Sequence, residues 1–147
     1  MNRPRGLIYL AAPLFNPQER TVNRRLARIL EARYTVFLPQ RDGVLIPGAI
    51  LDAADFVVSS RRAYEADTAA IAGSKAILAV LDGRSIDEGV AFELGFAAAL
   101  GKPCFGFKSD ARVLLPLGDN PMIAGAVHQY LTSVADVKRA VSDGLFG

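Results

Sequence analysis

Four short apolar runs, Leu7–Ala12, Tyr34–Leu38, Ala76–Leu81 and Pro103–Phe107, punctuate this chain, with helix-like stretches between them. Each run is too short for a helix and lacks the alternation of a strand with one wet face. Such runs are the mark of strands buried on both sides, which occur in parallel sheets covered by helices. Parallel neighbours must be joined by long crossovers, and these are normally helical and right-handed. With a fifth strand at Val127–Leu131, the pattern predicts an α/β domain. Its core would be a doubly wound sheet of about five mainly parallel strands flanked by helices.

The connecting segments carry their own signals. Asn16-Pro17 opens a helix, with Asn16 as cap and Pro17 in the first turn. Val22, Leu26, Ile29 and Leu30 form its apolar stripe, and Arg20, Arg24, Arg25 and Arg28 its wet side. Gln40–Gly48 reads as a loop. A helical pattern runs from about Ala49 to Ile71, with a break expected at Ser59-Ser60, and Gly73-Ser74 ends it. A further helix spans about Asp87–Leu100 and is capped by Gly101, and Val134–Val141 closes the fold. Ligands of such sheets bind beyond the carboxyl ends of the strands. That directs attention to Tyr9–Phe15, Pro39–Asp42, Asp82–Asp87 and the residues after Phe107.

Composition excludes more than it assigns. The 147 residues suit one domain, residues 1–147. Lys and Arg number 17 against 15 Asp and Glu, so the net charge is only +2. That balance gives no footprint for nucleic acid or an anionic membrane. One cysteine and one histidine form neither a disulfide nor a zinc cluster. Cys104, within a strand, reads as inert core and His128 as structural or surface. No apolar run approaches the ~18 residues of a membrane span, and no signal segment is evident, so a soluble cytoplasmic protein is expected. Gly95–Lys102 superficially suggests a phosphate loop, but the spacing is wrong and the glycine follows a helix. Neither a Gly-x-Gly-x-x-Gly nor a Gly-x-Ser-x-Gly motif occurs.

Several residues break their local pattern. Val90–Leu100 is apolar on nearly every face, which predicts a helix buried all round, and Glu93 is its only charge. A buried carboxylate costs several kcal/mol unless paired. Glu93 is therefore either the partner of an arginine from elsewhere or a nucleophile or acid–base group on a pocket floor. Gly89, one turn earlier, would clear space above it. Asp87 can cap the helix or flank a ligand with Glu93, as paired carboxylates do when they cleave a glycosidic bond. Asp82 and Glu88 crowd the same loop. Asp67 either shares an exposed polar face with Glu65 or belongs to the site. Tyr9, a hydroxyl in an aliphatic strand, is either core packing or a donor that keeps a carboxylate ionised.

Three stretches together, Ile8–Phe15, Asp67 and Leu81–Gly95, resemble the nucleoside 2-deoxyribosyltransferase family. The Asp-x-Gly-x-x-x-Glu-Leu-Gly pattern of Asp87–Gly95 is the most specific part. The resemblance runs from about residue 7 to about residue 131. It implies a flavodoxin-like fold and exchange of a 2-deoxyribosyl group between nucleobases, with retention, through a covalent sugar ester. It implies Glu93 as nucleophile, Tyr9 as the residue holding it, and Asp67 and Asp87 binding and protonating the leaving base. Phe15 and Gln40 would contact the base, and Asp82 and Gly89 would line the site. Asn120 would reach the sugar's 5′-hydroxyl from a neighbouring subunit, so a dimer-based homo-oligomer, up to a hexamer, is implied. The substrates would be a deoxynucleoside and a free nucleobase, with no cofactor and no metal.

Two other readings compete. A related hydrolase cleaves nucleoside 5′-monophosphates and has a serine where this chain has Asp87. A carboxylate there would repel the phosphate dianion. A nucleotide-sensing module on the same fold would carry no catalysis at all.

Overall fold

The computed structural model describes residues 5–46, 52–112, 115 and 118–147. Five strands, β1 (Leu7–Ala11), β2 (Thr35–Phe37), β3 (Ala76–Val80), β4 (Cys104–Phe107) and β5 (Gln129–Leu131), form one sheet in the order β2-β1-β3-β4-β5. Every pairing is parallel. The strands at the centre are the most apolar, and all five residues of β3 are buried. Tyr9 of β1 lies in register with Phe37 on one side and Ile77 on the other.

The helices are α1 (Pro17–Leu30), α2 (Pro39–Asp42), α3 (Ala53–Gly73), α4 (Glu88–Ala99) and α5 (Pro121–Ala126) in the crossovers, and α6 (Val134–Asp143) after the last strand. Helix α1 begins with a full capping box. Asn16 Oδ1 accepts from Glu19 N at 2.9 Å, and Glu19 Oε2 accepts from the Asn16 and Phe15 amides. Helices α1 and α6 cover one face, where Leu26, Leu30, Val137 and Val141 pack on Ile8, Leu10 and Leu78. Helices α3, α4 and α5 cover the other, where Ile71, Val90, Leu94 and Ala97 pack on Tyr9, Ile77 and Ala79. Gly101, at φ +70°, supplies the left-handed turn after α4, and Gly144 does so after α6. Among the described residues no helix is long and apolar enough to cross a membrane.

The structure corrects several local expectations. Pro39–Asp42 is a short helix within the stretch read as loop, because Asp42 Oδ2 accepts the Leu38 amide and closes the turn. Helix α3 runs unbroken through Ser59-Ser60 after capping by Asp52; its expected start at Ala49 lies outside the described residues. Helix α5 was not anticipated. Val22 is exposed, and Asn23 takes its place in the buried stripe of α1. Arg20 is not a solvated residue of the wet face, since its guanidinium donates to Leu14 O at 3.0 Å. Helix α4 is not buried all round, as Phe92 is 51% exposed in the single chain.

The chain's last aromatic seals the first core. Phe146 packs edge-on against Phe105 and Tyr34, with ring centroids 4.8 and 5.8 Å away. Phe146→Ala should therefore lower unfolding stability by about 3 kcal/mol. Denaturant titration should show an earlier midpoint with an unchanged slope; an unaltered midpoint would show that the ring does not pack there.

Candidate active site

The site is built at the carboxyl ends of β1 and β3, on the face covered by α3 and α4. Tyr9 is fully buried and its ring stacks on Phe37, with centroids 5.5 Å apart and planes 13° from parallel. This sandwich leaves the phenol one direction, towards α4. Tyr9 Oη donates to Glu93 Oε1 at 2.6 Å, short enough to be a charge-assisted bond. Among the described residues no hydrogen bond occupies Oε2, and no Lys or Arg pairs with Glu93, Asp67 or Asp87. Of the two roles open to Glu93, membership of a buried ion pair is thus removed for the described residues.

Glu93 is pushed up to about 7, chiefly by burial, with the negative charges of Asp67 and Asp87 adding to the rise and the Tyr9 hydrogen bond opposing it. Asp67, reaching in from α3, is pushed up to about 6 by burial. Its Oδ1 is buried without a hydrogen-bond partner. The tip of α2 comes close to it: a Cβ on Gly43 would stand 3.2 Å from Asp67 Oδ1 and 2.7 Å from Pro39 O. The Pro39 carbonyl is what demands glycine there, and a side chain would also crowd the carboxyl. Burial and the Glu93 charge drive the Tyr9 phenol far above its ordinary range, so Tyr9 remains a donor. Two carboxyl groups titrating near neutrality can exchange a proton for roughly 1–2 kcal/mol.

The other predicted residues fall into different places. Asp87 caps α4, with Oδ1 accepting the Val90 amide at 3.0 Å, yet its charge still reaches Glu93. Gly89 borders Asp87 Oδ1, at 3.1 Å from a built Cβ, rather than Glu93. Asp82 is turned into the scaffold, accepting from Ser109 N, Ser109 Oγ and Asp110 N. Gln40 is likewise engaged: Oε1 accepts from Asn23 Nδ2 at 2.8 Å and Nε2 donates to Arg20 O at 3.0 Å. Phe15 is 75% exposed at the rim. Asn120 caps α5 at the surface, accepting from Met122 N.

Asn23 escaped the sequence reading. It is 1% exposed and also donates to Pro13 O at 2.8 Å, tying the loop before α1 to the start of α2. Its position one turn before Leu26 and Ala27 could have flagged it as a polar residue in an apolar stripe. Among the described residues no group of three or more His, Cys, Asp or Glu is arranged to hold a metal ion.

A family model described as nucleoside 2-deoxyribosyltransferase matches residues 8–141. The chain belongs to this family. The fold is shared with a conserved protein from Enterococcus faecalis V583, at 24% identity and a TM-score of 0.75, covering 94% of this chain and 98% of that one. A 2-deoxyribosyltransferase from Bacillus psychrosaccharolyticus is 25% identical, with a TM-score of 0.68 and 90% of each chain covered. A CMP N-glycosidase from Clostridium botulinum shares the fold at 18% identity and a TM-score of 0.60, with 92% and 98% covered. No curated protein matches the chain by sequence. The family is one of enzymes of glycosyl transfer.

A carboxyl whose value is raised on folding stabilises the fold less as it ionises. Stability should therefore decline as pH rises from about 4.5 through about 7, the ordinary and folded values of Glu93. Glu93→Gln keeps an acceptor for Tyr9 and removes the charge. Its melting temperature should decline less over that window and exceed the wild type's at pH near 8. Parallel curves for the two proteins would place Glu93 in a far more polar setting.

Proposed function

We propose that the protein transfers a 2-deoxyribosyl group between nucleobases by double displacement at Glu93. The observation that carries this is the Tyr9–Glu93 pair: a carboxylate held by one oxygen, with no cation beside it among the described residues, and two further carboxyl groups near.

In the first half-reaction Glu93 Oε2 attacks the anomeric carbon. The carbon–nitrogen bond breaks, and its electron pair leaves with the base. Asp67 or Asp87 hydrogen-bonds the base and returns a proton to it; burial, which pushes Asp67 up to about 6, lets that carboxyl carry a proton close to neutrality, with Glu93 competing for it. The incoming base then attacks the same carbon, gives up its proton to that acid, and releases Glu93. Two inversions give net retention. A deoxyribosyl centre lacks the electron-withdrawing 2-hydroxyl, so an oxocarbenium-like transition state is accessible. The chain needs to supply an ionised carboxylate below the sugar and an acid at the base, and no cofactor.

Phe15 at the rim would pack on the base. Gln40, held by Asn23 and Arg20, and Asp82, held by the Ser109-Asp110 amides, would shape the walls, and Gly89 would leave room beside Asp87. Asn120 would take the 5′-hydroxyl in the site of a neighbouring subunit, within a dimer-based homo-oligomer, up to a hexamer. The exposed apolar side chains Phe92 and Met122, 51% and 80% accessible, flank that role with surface suited to a second copy. The protein would act on deoxynucleosides in the cytoplasm, in their salvage.

Deoxyinosine incubated with adenine should yield deoxyadenosine. Glu93→Ala should lower that exchange at least about a thousandfold while the protein stays folded. A slow fluorinated deoxynucleoside should leave a sugar adduct on Glu93, visible by mass spectrometry. Release of free sugar from a nucleoside monophosphate without exchange would identify a hydrolase instead, and no turnover of either would identify a sensing module.

The Tyr9 hydrogen bond lowers Glu93, so its loss should raise Glu93 further. The nucleophile works ionised. In Tyr9→Phe the acidic limb of the kcat/KM profile should therefore move to higher pH, and the rate at pH 6 should fall more than the rate at pH 8.5. A limb at the wild-type position would show that Glu93 does not set it.

A further inference from the structure

Beyond the carboxylates, the carboxyl ends of β3 and β4 hold a second buried charge system, built around Lys108. Lys108 directly follows β4, and its side chain is only 13% exposed. Its ammonium donates to Leu81 O at 3.1 Å and pairs with Asp119 Oδ1 at 2.9 Å. Asp119, 8% exposed, has its other oxygen filled by Tyr130 Oη at 3.1 Å. Gly106 lets the Leu81 and Tyr130 side chains pack close to β4, for a Cβ there would stand 2.8 Å from Leu81 Cδ1 and 3.3 Å from Tyr130 Cδ1. Asp82 binds the same two strand ends in the opposite sense, through the Ser109 and Asp110 amides.

A buried ion pair with both members hydrogen-bonded further is a poor source of stability but a firm geometric constraint. What this one constrains is the corner that carries Asn120. Asp119 points inward and its carboxylate is fully used, so it is not free to reach a sugar. Asn120, the next residue, is exposed and caps α5 through Oδ1. The two neighbours thus divide the work, one anchoring and one presented outward.

We propose that Lys108 is a positioning residue for sugar recognition: by clamping Asp119 to the end of β3, it sets where Asn120 stands to meet the 5′-hydroxyl of the substrate. This rests on the exchange reaction and the role of Asn120 proposed above. Lys108 touches no substrate. It also makes the segment leading to Asp87 and the corner bearing Asn120 one rigid piece, since Leu81 and Asp82 begin the first and Asp119 begins the second.

The test compares two donors, a 2-deoxynucleoside and its analogue lacking the 5′-hydroxyl. Lys108→Met should lower kcat/KM for the first about tenfold, mostly through KM, and leave the value for the analogue within about twofold. Lys108→Arg, which keeps a cation, should recover most of the loss. Asp119→Asn, which keeps the shape, should reproduce the selective loss if the methionine variant fails to fold. An equal loss with both donors, or no loss with either, would overturn the proposal. Hydrogen exchange of the Asn120–Ala126 amides supplies a reading independent of turnover. It should quicken in Lys108→Met while α1 and α6 stay protected, and unchanged protection would overturn the clamp. Should the wild type perform no exchange of bases, the proposed function fails, and amide protection alone then decides whether Lys108 holds the corner.

Discussion

The hydrogen bond from Tyr9 to Glu93 joins the central sheet to α4. Its geometry depends on features remote from the chemistry. The aromatic stack on Phe37 fixes the ring, and the parallel register of β1 with β2 brings Phe37 alongside. Packing of Leu94 and Ala97 on the sheet fixes the rotation of α4 and hence the direction of Glu93. A hydroxyl in the middle of an apolar strand, normally a liability, is satisfied because Glu93 on the facing helix meets it.

Electrostatically, the site works through burial without a counter-ion among the described residues. Burial raises Glu93 and Asp67 into the neutral range, and Tyr9 restrains the rise at Glu93 alone. Two chemically similar groups are thereby distinguished by their surroundings. Glu93 has a donor that favours its ion, and Asp67 has an orphaned oxygen facing the backbone around Gly43, yet burial leaves Glu93, at about 7, holding its proton to higher pH than Asp67, at about 6. Lys108, at the end of β4, is engaged with its own partners, Asp119 and Leu81 O.

Much of the fold is legible in the sequence. Continuous apolar runs reveal buried parallel strands, and Asn16-Pro17 and Gly101 mark helix ends through local chemistry that tertiary context rarely overrides. Glu93 and Tyr9 stood out because each violates an otherwise uniform pattern. Gln40, Asp82 and Gly89 were harder, because their identities are compatible with solvent, ligand or scaffold. Gln40 turned towards Asn23, Asp82 towards the end of β4, and Gly89 towards Asp87. Nothing local predicts such partners, since they come from elements distant in sequence or from the way a helix begins.

By itself the sequence determined the class of fold, the five strands with the long helices between them, the family, and the identity of the carboxylate that must be explained. These follow from periodicity, capping and the cost of burying charge, which are local or nearly so. Tertiary structure alone decided which groups meet: Tyr9 with Glu93, Asp67 with the backbone at Gly43, Lys108 with Leu81 and Asp119. It also decided that α4 keeps Phe92 at the surface of the single chain. The physical reason is that a hydrogen bond or a desolvation depends on distances of a few ångströms between residues tens of positions apart, and only the packed chain sets those distances.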